Sequence, residues 1–299
     1  MKILHKINIL ALIALALCIN SCKEIGPQID LTNGKHNTLL DTTYVESPAQ
    51  APQPKTVLIE MFTGVSCINC PGAHVVMDNI ITANPRRVIG VAMHSTAEPA
   101  SQDEQLIDSR EPLGCPDAQT IITSFGDLGA RPIGTVNRIS HTSAVGPVSV
   151  YDIAANWGGY TNTSLAVPSP VNIVLTKTYV DATHTLTVDV ELHYTAAQTD
   201  SDKLTIFLTQ DSIVTAQLQS DNSDDSTYVH NAVLRAAVTN ALGDKVNANL
   251  GVGTVVKKIY TYTISNPLWK PEHMNIIAFV HKYQNGSSEV LQSATITVK

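Results

Sequence analysis

The feature that most constrains the fold is a pair of cysteines, Cys67 and Cys70, that follows an apolar segment. Residues 57–62 are mostly apolar, as expected of a buried strand, and a turn follows them. A helix is predicted from near Cys67 to Ala83, and the next two residues, Asn and Pro, end it. The two cysteines therefore lie where a buried strand passes into a helix.

This position predicts redox chemistry of the thioredoxin type. A thiol at the start of a helix is stabilised as a thiolate by unpaired backbone N–H groups and by the positive end of the helix dipole. Cys67 is then the attacking thiol, and Cys70, one turn further, resolves the mixed disulfide. A structural disulfide and half of a metal site are the alternatives. A zinc site needs two more ligands, and no second Cys-x-x-Cys or histidine pair supplies them.

Pro132 is the second candidate element of the site, because it precedes a predicted strand over residues 133–138. In thioredoxin-like folds a cis-proline loop faces the cysteine pair and offers backbone groups to an extended substrate. Arg131 would then place a cation near the thiols and favour thiolate. An ordinary trans proline at the start of a strand is the alternative, and the sequence leaves both open.

Three further residues are weaker candidates. Glu60 lies inside an apolar strand, where a carboxylate is costly unless it is paired or protonated. It either relays a proton behind the cysteine pair or faces solvent at the strand end. His94 ends the second apolar strand and is predicted to be a surface histidine, although a role in tuning the thiols stays open. Cys115 begins another helix and is predicted to be a free, partly buried thiol rather than a resolving one.

The order of elements predicts two domains. Residues 56–166 alternate strand and helix signals, which indicates an α/β thioredoxin-like N-terminal domain with parallel first strands. Pro168 and Pro170 mark a boundary. Residues 167–299 contain seven short alternating strands with turns between them, which predicts an all-β, immunoglobulin-like sandwich.

The start of the chain resembles an export signal. Lys2 and Lys6 precede an apolar run over residues 7–19, and a small residue then precedes Cys22. This order predicts a lipoprotein signal over residues 1–21, lipidation of Cys22 and attachment to a membrane through the lipid. An ordinary cleaved signal is the alternative. Residues 22–55, rich in Thr, Asn, Gln and Pro, are predicted to be a flexible tether.

Composition and net charge limit the classes of partner that are expected. An apolar content of 43% supports packed cores rather than disorder. The 19 basic and 26 acidic residues give a formal net charge of −7, and removal of a signal with two lysines and no acid leaves a more acidic body. A nucleic-acid partner is therefore not expected. The sequence has no Gly-rich phosphate loop and predicts no cofactor and no metal.

Several segments are similar to one family. Residues 59–64 together with 67–71 resemble the entry motif of the outer membrane protein 28-related lipoproteins of Bacteroidetes-type bacteria. Pro132 with residues 136–138 is similar to that family's cis-proline strand, and residues 228–235 and 276–280 resemble its C-terminal part. The resemblance implies an outer-membrane lipoprotein of the cell envelope, on the periplasmic face or the cell surface.

Two functions fit these observations. The first is thiol–disulfide exchange with exported proteins, in which Cys67 attacks, Cys70 resolves and Pro132 holds the substrate backbone. The second is a non-enzymatic binding or adhesion lipoprotein in which a Cys67–Cys70 disulfide is structural. Whether the protein is an enzyme stays open at this point, because a fold does not by itself imply an activity.

Overall fold

The computed structural model describes residues 37–96, 112–126, 128, 130–143, 146–246, 249–283 and 287–299. Residues Lys35–Lys299 form one compact unit. The predicted signal segment and the predicted lipidation site, Cys22, lie outside the described residues. None of the helices in the described part of the chain is long and apolar enough to cross a membrane.

The described elements are three α-helices, one short 3-10 helix and nineteen strands. Those of the first half are β1 Asn37–Val45, β2 Val57–Thr63, α1 Cys70–Ala83, β3 Val88–His94, α2 Pro116–Ser124, β4 Ile133–Val136, β5 His141–Ser143, β6 Gly146–Ser149, β7 Tyr151–Asp152 and α3 Ala154–Leu165. Those of the second half are β8 Val171–Val180, β9 Thr185–Tyr194, β10 Asp202–Gln210, β11 Ile213–Val214, β12 Gln217–Leu218, β13 Asp224–Asp225, β14 Val229–His230, β15 Val233–Ala237, β16 Asp244–Lys245, β17 Thr254–Thr263, the 3-10 helix Pro271–His273, β18 Met274–Lys282 and β19 Val290–Thr297.

A nine-stranded sheet contains strands from both halves of the chain. Its order is β19-β18-β10-β15-β3-β2-β4-β7, and β16 pairs with β10 beside this path. Strands β2 and β3 are parallel, whereas β2 and β4 are antiparallel. The two halves meet where β15 pairs in parallel with β3 through Val233 and Ala92. The N–H of Ala92 also donates a hydrogen bond of 2.7 Å to the carbonyl of Ala232.

The predicted fold class, a thioredoxin-like α/β domain followed by a separate immunoglobulin-like sandwich, is wrong. The described chain is mostly β, and one sheet joins strands of both predicted domains. The seven strands predicted after residue 170 are present with small changes of boundary. Four of them extend the sheet of the first half. Hydrophobic alternation predicts that a segment is a strand, but it carries no information about the neighbour with which that strand pairs.

A four-stranded sheet, β1-β17-β9-β8, packs against one face of the large sheet. Strand β9 shows the alternation that this packing requires, since Leu186, Val188, Val190 and Leu192 are all fully buried. Strand β1 lies within the predicted flexible tether and pairs with β17 along its length. The tether prediction therefore missed a strand in the part of the tether that the structure describes.

Strand β2 separates two layers of helix and thereby positions the candidate site. Ile59 and Met61 pack with Met77 of α1 and with Trp157 of α3. On the other face, Phe62 packs with helix α2. The strand predicted over 57–62 and the end of α1 at Ala83 are confirmed. The end of β2 leads directly into the loop that carries the cysteines.

Candidate functional site

Cys67 and Cys70 form a disulfide with a Cα–Cα distance of 5.4 Å. Helix α1 begins at Cys70, with Asn69 as its N-cap, so the prediction of a helix start near Cys67 is three residues early. The N–H of Cys70 donates to the carbonyl of Cys67 at 3.1 Å. Cys70 is fully buried, whereas Cys67 is 8% exposed. Cys70 therefore occupies the first helical turn, and Cys67 is the sulfur closer to solvent.

A segment from the second half of the chain holds this loop. Residues 213–230, here called the covering segment, form an excursion between β10 and β15. The side-chain amide of Gln217 donates hydrogen bonds to the carbonyls of Val65 at 3.0 Å and Cys67 at 3.2 Å. The N–H of Leu218 donates to the carbonyl of Val65 at 2.8 Å. The covering segment thus contacts the disulfide loop directly and restrains its backbone.

Three histidines and a tyrosine pack beside the loop, and we call them the histidine cluster: His74, His94, Tyr228 and His230. Nδ1 of His74 is 2.8 Å from the Tyr228 hydroxyl, and its Nε2 is 3.1 Å from the hydroxyl of Thr63. The ring of His230 lies 6.2 Å from that of His74 and 5.8 Å from that of His94, measured between centroids. The cluster joins α1, the end of β3 and the covering segment.

Burial keeps the histidines of the cluster neutral. It lowers the pKa of His74 to about 3 and the pKa of His230 to about 4, and it holds the pKa of His94 well below its ordinary value. Repulsion from His230 lowers the pKa values of His74 and His94 further. Neither ring nitrogen of His94 has a hydrogen-bond partner among the described residues. A buried polar group without a partner is costly and calls for an explanation.

His94 is fully buried, so the prediction of a surface histidine is wrong. It pairs with Thr63 in the β2–β3 register, at the edge of the sheet where the disulfide loop begins. Strand β4 pairs Ile133 with Phe62, which places the preceding residue, Pro132, opposite Thr63. The Arg131–Pro132 peptide bond is cis. Arg131 lies near enough to His94 for its charge to contribute to the lowered pKa of that histidine.

Glu60 lies elsewhere in the interior. Its carboxylate accepts hydrogen bonds from Nε and Nη2 of Arg138 at 2.7 and 2.6 Å and from the hydroxyl of Thr135 at 3.1 Å. Its side chain is fully buried, so the alternative of a solvent-facing carboxylate is wrong. Within the described residues, the Glu60 carboxylate accepts hydrogen bonds from Arg138 and Thr135 and not from the cysteines or the histidine cluster.

Cys115 is a free, buried thiol, and that prediction is confirmed. Its sulfur caps helix α2 by accepting a hydrogen bond of 3.4 Å from the N–H of Ala118. Burial raises the pKa of Cys115 to about 11. Since the thiolate is the nucleophile, this cysteine is a poor candidate for exchange chemistry.

Sequence reasoning missed Gln217 and most of the histidine cluster. His74 could have been found, because it follows Cys70 by four residues and therefore lies on the same face of α1. Tyr228 and His230 lie in the segment 228–235 that resembles the family, but nothing local places them beside α1, because their partner there is about 150 residues away in the chain. Among the described residues, no group of three or more Cys, His, Asp or Glu side chains could hold a metal ion.

Comparison with known proteins gives a family and a related fold. The chain shares its fold with HBP35 of Porphyromonas gingivalis, with a TM-score of 0.63 and 13% identity over 83% of this chain and 76% of that one. A protein from Agrobacterium tumefaciens is similar at a TM-score of 0.49 and 11% identity, covering 83% of this chain and 97% of the other. A domain of the outer membrane lipoprotein Omp28 from Porphyromonas gingivalis is 21% identical over 43% of this chain and 88% of its own, with a TM-score of 0.30.

No curated protein sequence matches the chain. The family of the outer membrane protein Omp28 matches residues 119–299, which is more than half of the chain. The predicted membership of this family is thereby confirmed, and the matched residues include Pro132 but not Cys67 or Cys70. This protein belongs to the Omp28 family of outer membrane proteins.

Proposed function

We propose that this outer membrane protein exchanges thiols and disulfides with exported proteins of the cell envelope through Cys67 and Cys70, and that lipidated Cys22 anchors it. One observation carries the proposal. The disulfide closes a four-residue loop at the start of a helix, and of its two cysteines Cys70 is fully buried whereas Cys67 is partly reached by solvent. Because of this asymmetry, we propose that Cys67 forms the bond to the substrate sulfur and that Cys70 is displaced as a thiolate when the disulfide opens.

The exchange is balanced in both directions. A substrate thiolate attacks Sγ of Cys67, the Cys67–Cys70 bond breaks, and Cys70 leaves as a thiolate. The first turn of α1 stabilises that thiolate, because its backbone N–H groups have no helical partners. A second substrate thiolate then attacks the substrate sulfur and releases Cys67, so the substrate is oxidised and the pair is reduced. The reverse sequence reduces a substrate disulfide.

The surroundings of the pair suit an extended protein substrate. In the proposal, backbone groups at Pro132 bind the substrate main chain, because the β4 register places this residue opposite Thr63 at the same sheet edge. Arg131 supplies positive charge near that edge. His74 lies on the same helix face as Cys70, and its imidazole stays neutral because burial lowers its pKa to about 3. The excess of acidic residues gives no reason to propose a nucleic-acid partner.

A second candidate rests on a different observation. Gln217 holds the carbonyl of Cys67, and only 8% of that residue is exposed. A disulfide restrained in this way also suits a static role in a binding or adhesion lipoprotein. In that case the β-rich remainder of the chain provides the binding surface.

Trapping of mixed disulfides separates the two candidates. The Cys70→Ser variant should accumulate mixed disulfides with exported proteins through Cys67, because no resolving thiol remains. The matched control is Cys67→Ser, and both variants carry Cys115→Ser so that no other described thiol competes. Non-reducing electrophoresis should show adducts with the first variant and few with the second. Equal or absent capture would favour the static disulfide.

The anchor has its own test. Replacement of Cys22 by Ala should move the protein from the membrane to the soluble fraction, because the lipid is attached through this thiol. Mass spectrometry of the N-terminal peptide should show the acyl groups on the wild-type protein. Unchanged membrane fractionation of the variant, together with an unacylated peptide, would contradict lipid anchoring.

A further inference from the structure

The molecule contains a second candidate site that shares no residue with the disulfide site. A cavity of about 710 Å³ opens between the end of α2, the end of β4, the start of β10 and the end of β18. The lining residues that matter are Phe125, Arg138, Lys203, His281, Lys282 and Tyr283. The size is within the range of small-molecule sites, which is about 300–1,000 Å³.

The charges around this cavity are unusual for an acidic protein. Three cationic side chains line it, and no carboxylate is among the described lining residues. Glu60 balances Arg138 at 2.6 Å, and Glu289 balances Lys282 at 2.6 Å. Lys203 has no ion-pair partner in the described part of the chain. Its ammonium lies 3.7 Å from the centroid of the Tyr283 ring. Lys203 is therefore the cation that remains available to a ligand.

The pocket also has flat, apolar walls. The guanidinium of Arg138 lies between two aromatic rings, 5.6 Å from the centroid of Phe125 and 5.1 Å from that of Phe279. Burial holds the pKa of His281 well below its ordinary value, so this ring is a neutral wall. Around Lys203, burial lowers the pKa of the ammonium while nearby Asp244 opposes that effect.

The backbone that presents Arg138 is held in a strained form. Asn137 and Arg138 both have a φ of 51°, in the left-handed region that non-glycine residues rarely adopt. Such a conformation persists only where its surroundings impose it. Here the side chain of Asn137 accepts a 2.8 Å hydrogen bond from the N–H of Leu58, and its carbonyl accepts one from the N–H of Val290. The turn fixes Arg138 at the pocket wall.

We propose that this cavity binds a small organic anion whose carboxylate or sulfonate meets Lys203 and whose flat apolar body packs on Phe125 and Tyr283. Charge-assisted hydrogen bonds orient the anionic group. The aromatic rings bury the body of the ligand. This site is independent of the thiol chemistry proposed above, and neither proposal depends on the other.

The test uses two fluorescent probes of nearly the same shape. 8-Anilinonaphthalene-1-sulfonate carries a sulfonate, and N-phenyl-1-naphthylamine is its neutral counterpart. We expect the protein to bind the sulfonate more tightly than the neutral probe. Lys203→Met should weaken binding of the sulfonate about tenfold, or ~1.4 kcal/mol, and leave the neutral probe nearly unchanged.

Two variants locate the effect. Lys245→Met removes the same charge from an exposed residue that pairs with Lys203 in the β10–β16 register but does not line the cavity. It should change binding less than twofold. Ser288→Trp adds bulk at the cavity wall and should abolish binding of both probes at this site. Urea unfolding of each variant verifies that the protein is folded.

The proposal is overturned by any of three results: no saturable binding of the sulfonate probe, equal losses in Lys203→Met and Lys245→Met, or full binding in Ser288→Trp. The first result means that the cavity takes no such ligand. The second means that the general field of the protein, rather than this cation, attracts the anion. The third means that the probe binds elsewhere.

Discussion

Two buried polar centres lie along strand β2, and they differ in how their groups are satisfied. In the middle of the strand, Glu60 receives hydrogen bonds from Arg138 and Thr135. At its end, His94 of β3 lies beside Thr63 and is fully buried, yet neither ring nitrogen has a hydrogen-bond partner among the described residues. The buried carboxylate of the first centre is stabilised by its hydrogen bonds and its ion pair, so a structural role accounts for it. An unsatisfied one beside a disulfide is where a function is to be sought.

The largest effect is expected at the satisfied centre. Arg138→Met leaves the Glu60 carboxylate buried without its counter-charge. We expect the free energy of unfolding to fall by about 3–5 kcal/mol, which is the usual cost of breaking a buried ion pair on one side. Urea unfolding at neutral pH measures the change.

A double variant is the control for this prediction. Glu60→Gln combined with Arg138→Met removes both charges, so it should be more stable than the single Arg138→Met variant. If the single variant loses less than about 1 kcal/mol, the carboxylate is not dependent on this arginine, and the contrast between the two centres fails.

Much of this architecture could be predicted from local sequence. The apolar run before Cys67 predicted β2, the residues after Ala83 predicted the end of α1, and alternation predicted the strands that follow residue 170. The pairing of Val233 with Ala92 could not be predicted, because alternation does not specify a partner strand. That pairing joins the two halves within the large sheet, which is why the predicted fold class is wrong.

The candidate site likewise combines residues that local sequence predicted with residues that it could not predict. Cys67 and Cys70 were visible as a motif, and Pro132 was visible by its position before a strand. Gln217 and His230 reach the site from a distant excursion, and no local pattern links either of them to the cysteines. Glu60 was noticed as an acid in an apolar strand, but its partner Arg138 was not predicted, since a left-handed turn directs that side chain inward.

A smaller effect is expected at the loop beside the unsatisfied centre. Gln217→Met removes the amide that holds the carbonyls of Val65 and Cys67 while keeping the length of the side chain. Stability should fall by about 1–2 kcal/mol. Dithiothreitol should reduce the disulfide about three to ten times faster, because local opening exposes Cys67 more often.

The matched control for this loop is Gln198→Met. Gln198 is half-buried, and among the described residues its side-chain amide donates only to the adjacent carbonyl of Ala197. It should leave the reduction rate unchanged. Equal rates in wild type and Gln217→Met would show that the covering segment does not control access to the disulfide.

The smallest effect concerns the pH dependence of stability. In the unfolded chain, a histidine takes up a proton below about pH 6.5, whereas His94 stays neutral in the folded protein because burial holds its pKa well below that value. The folded state therefore loses stability relative to the unfolded state as pH falls below about 6.5. His94→Leu should reduce this loss and be about 1 kcal/mol more stable than wild type at about pH 5.8, relative to the difference at pH 8.

His74 and His230 remain in the His94→Leu variant, so the difference between the two proteins isolates His94. Urea unfolding at about pH 5.8 and at pH 8 gives the four free energies that are needed. Parallel losses in wild type and variant between these pH values would mean that His94 is protonated in the folded protein and that the cluster is not held neutral by burial.

The reduction potential of the Cys67–Cys70 pair tests the central claim most directly. The Cys115→Ser protein is equilibrated with glutathione buffers and then alkylated. Mass spectrometry gives the fraction of the Cys67–Cys70 pair that is reduced at each glutathione potential. Exchange chemistry predicts a potential between about −270 and −120 mV, the range of disulfides that react in cells. A potential below about −300 mV is that of a structural disulfide, and it would contradict the proposed exchange.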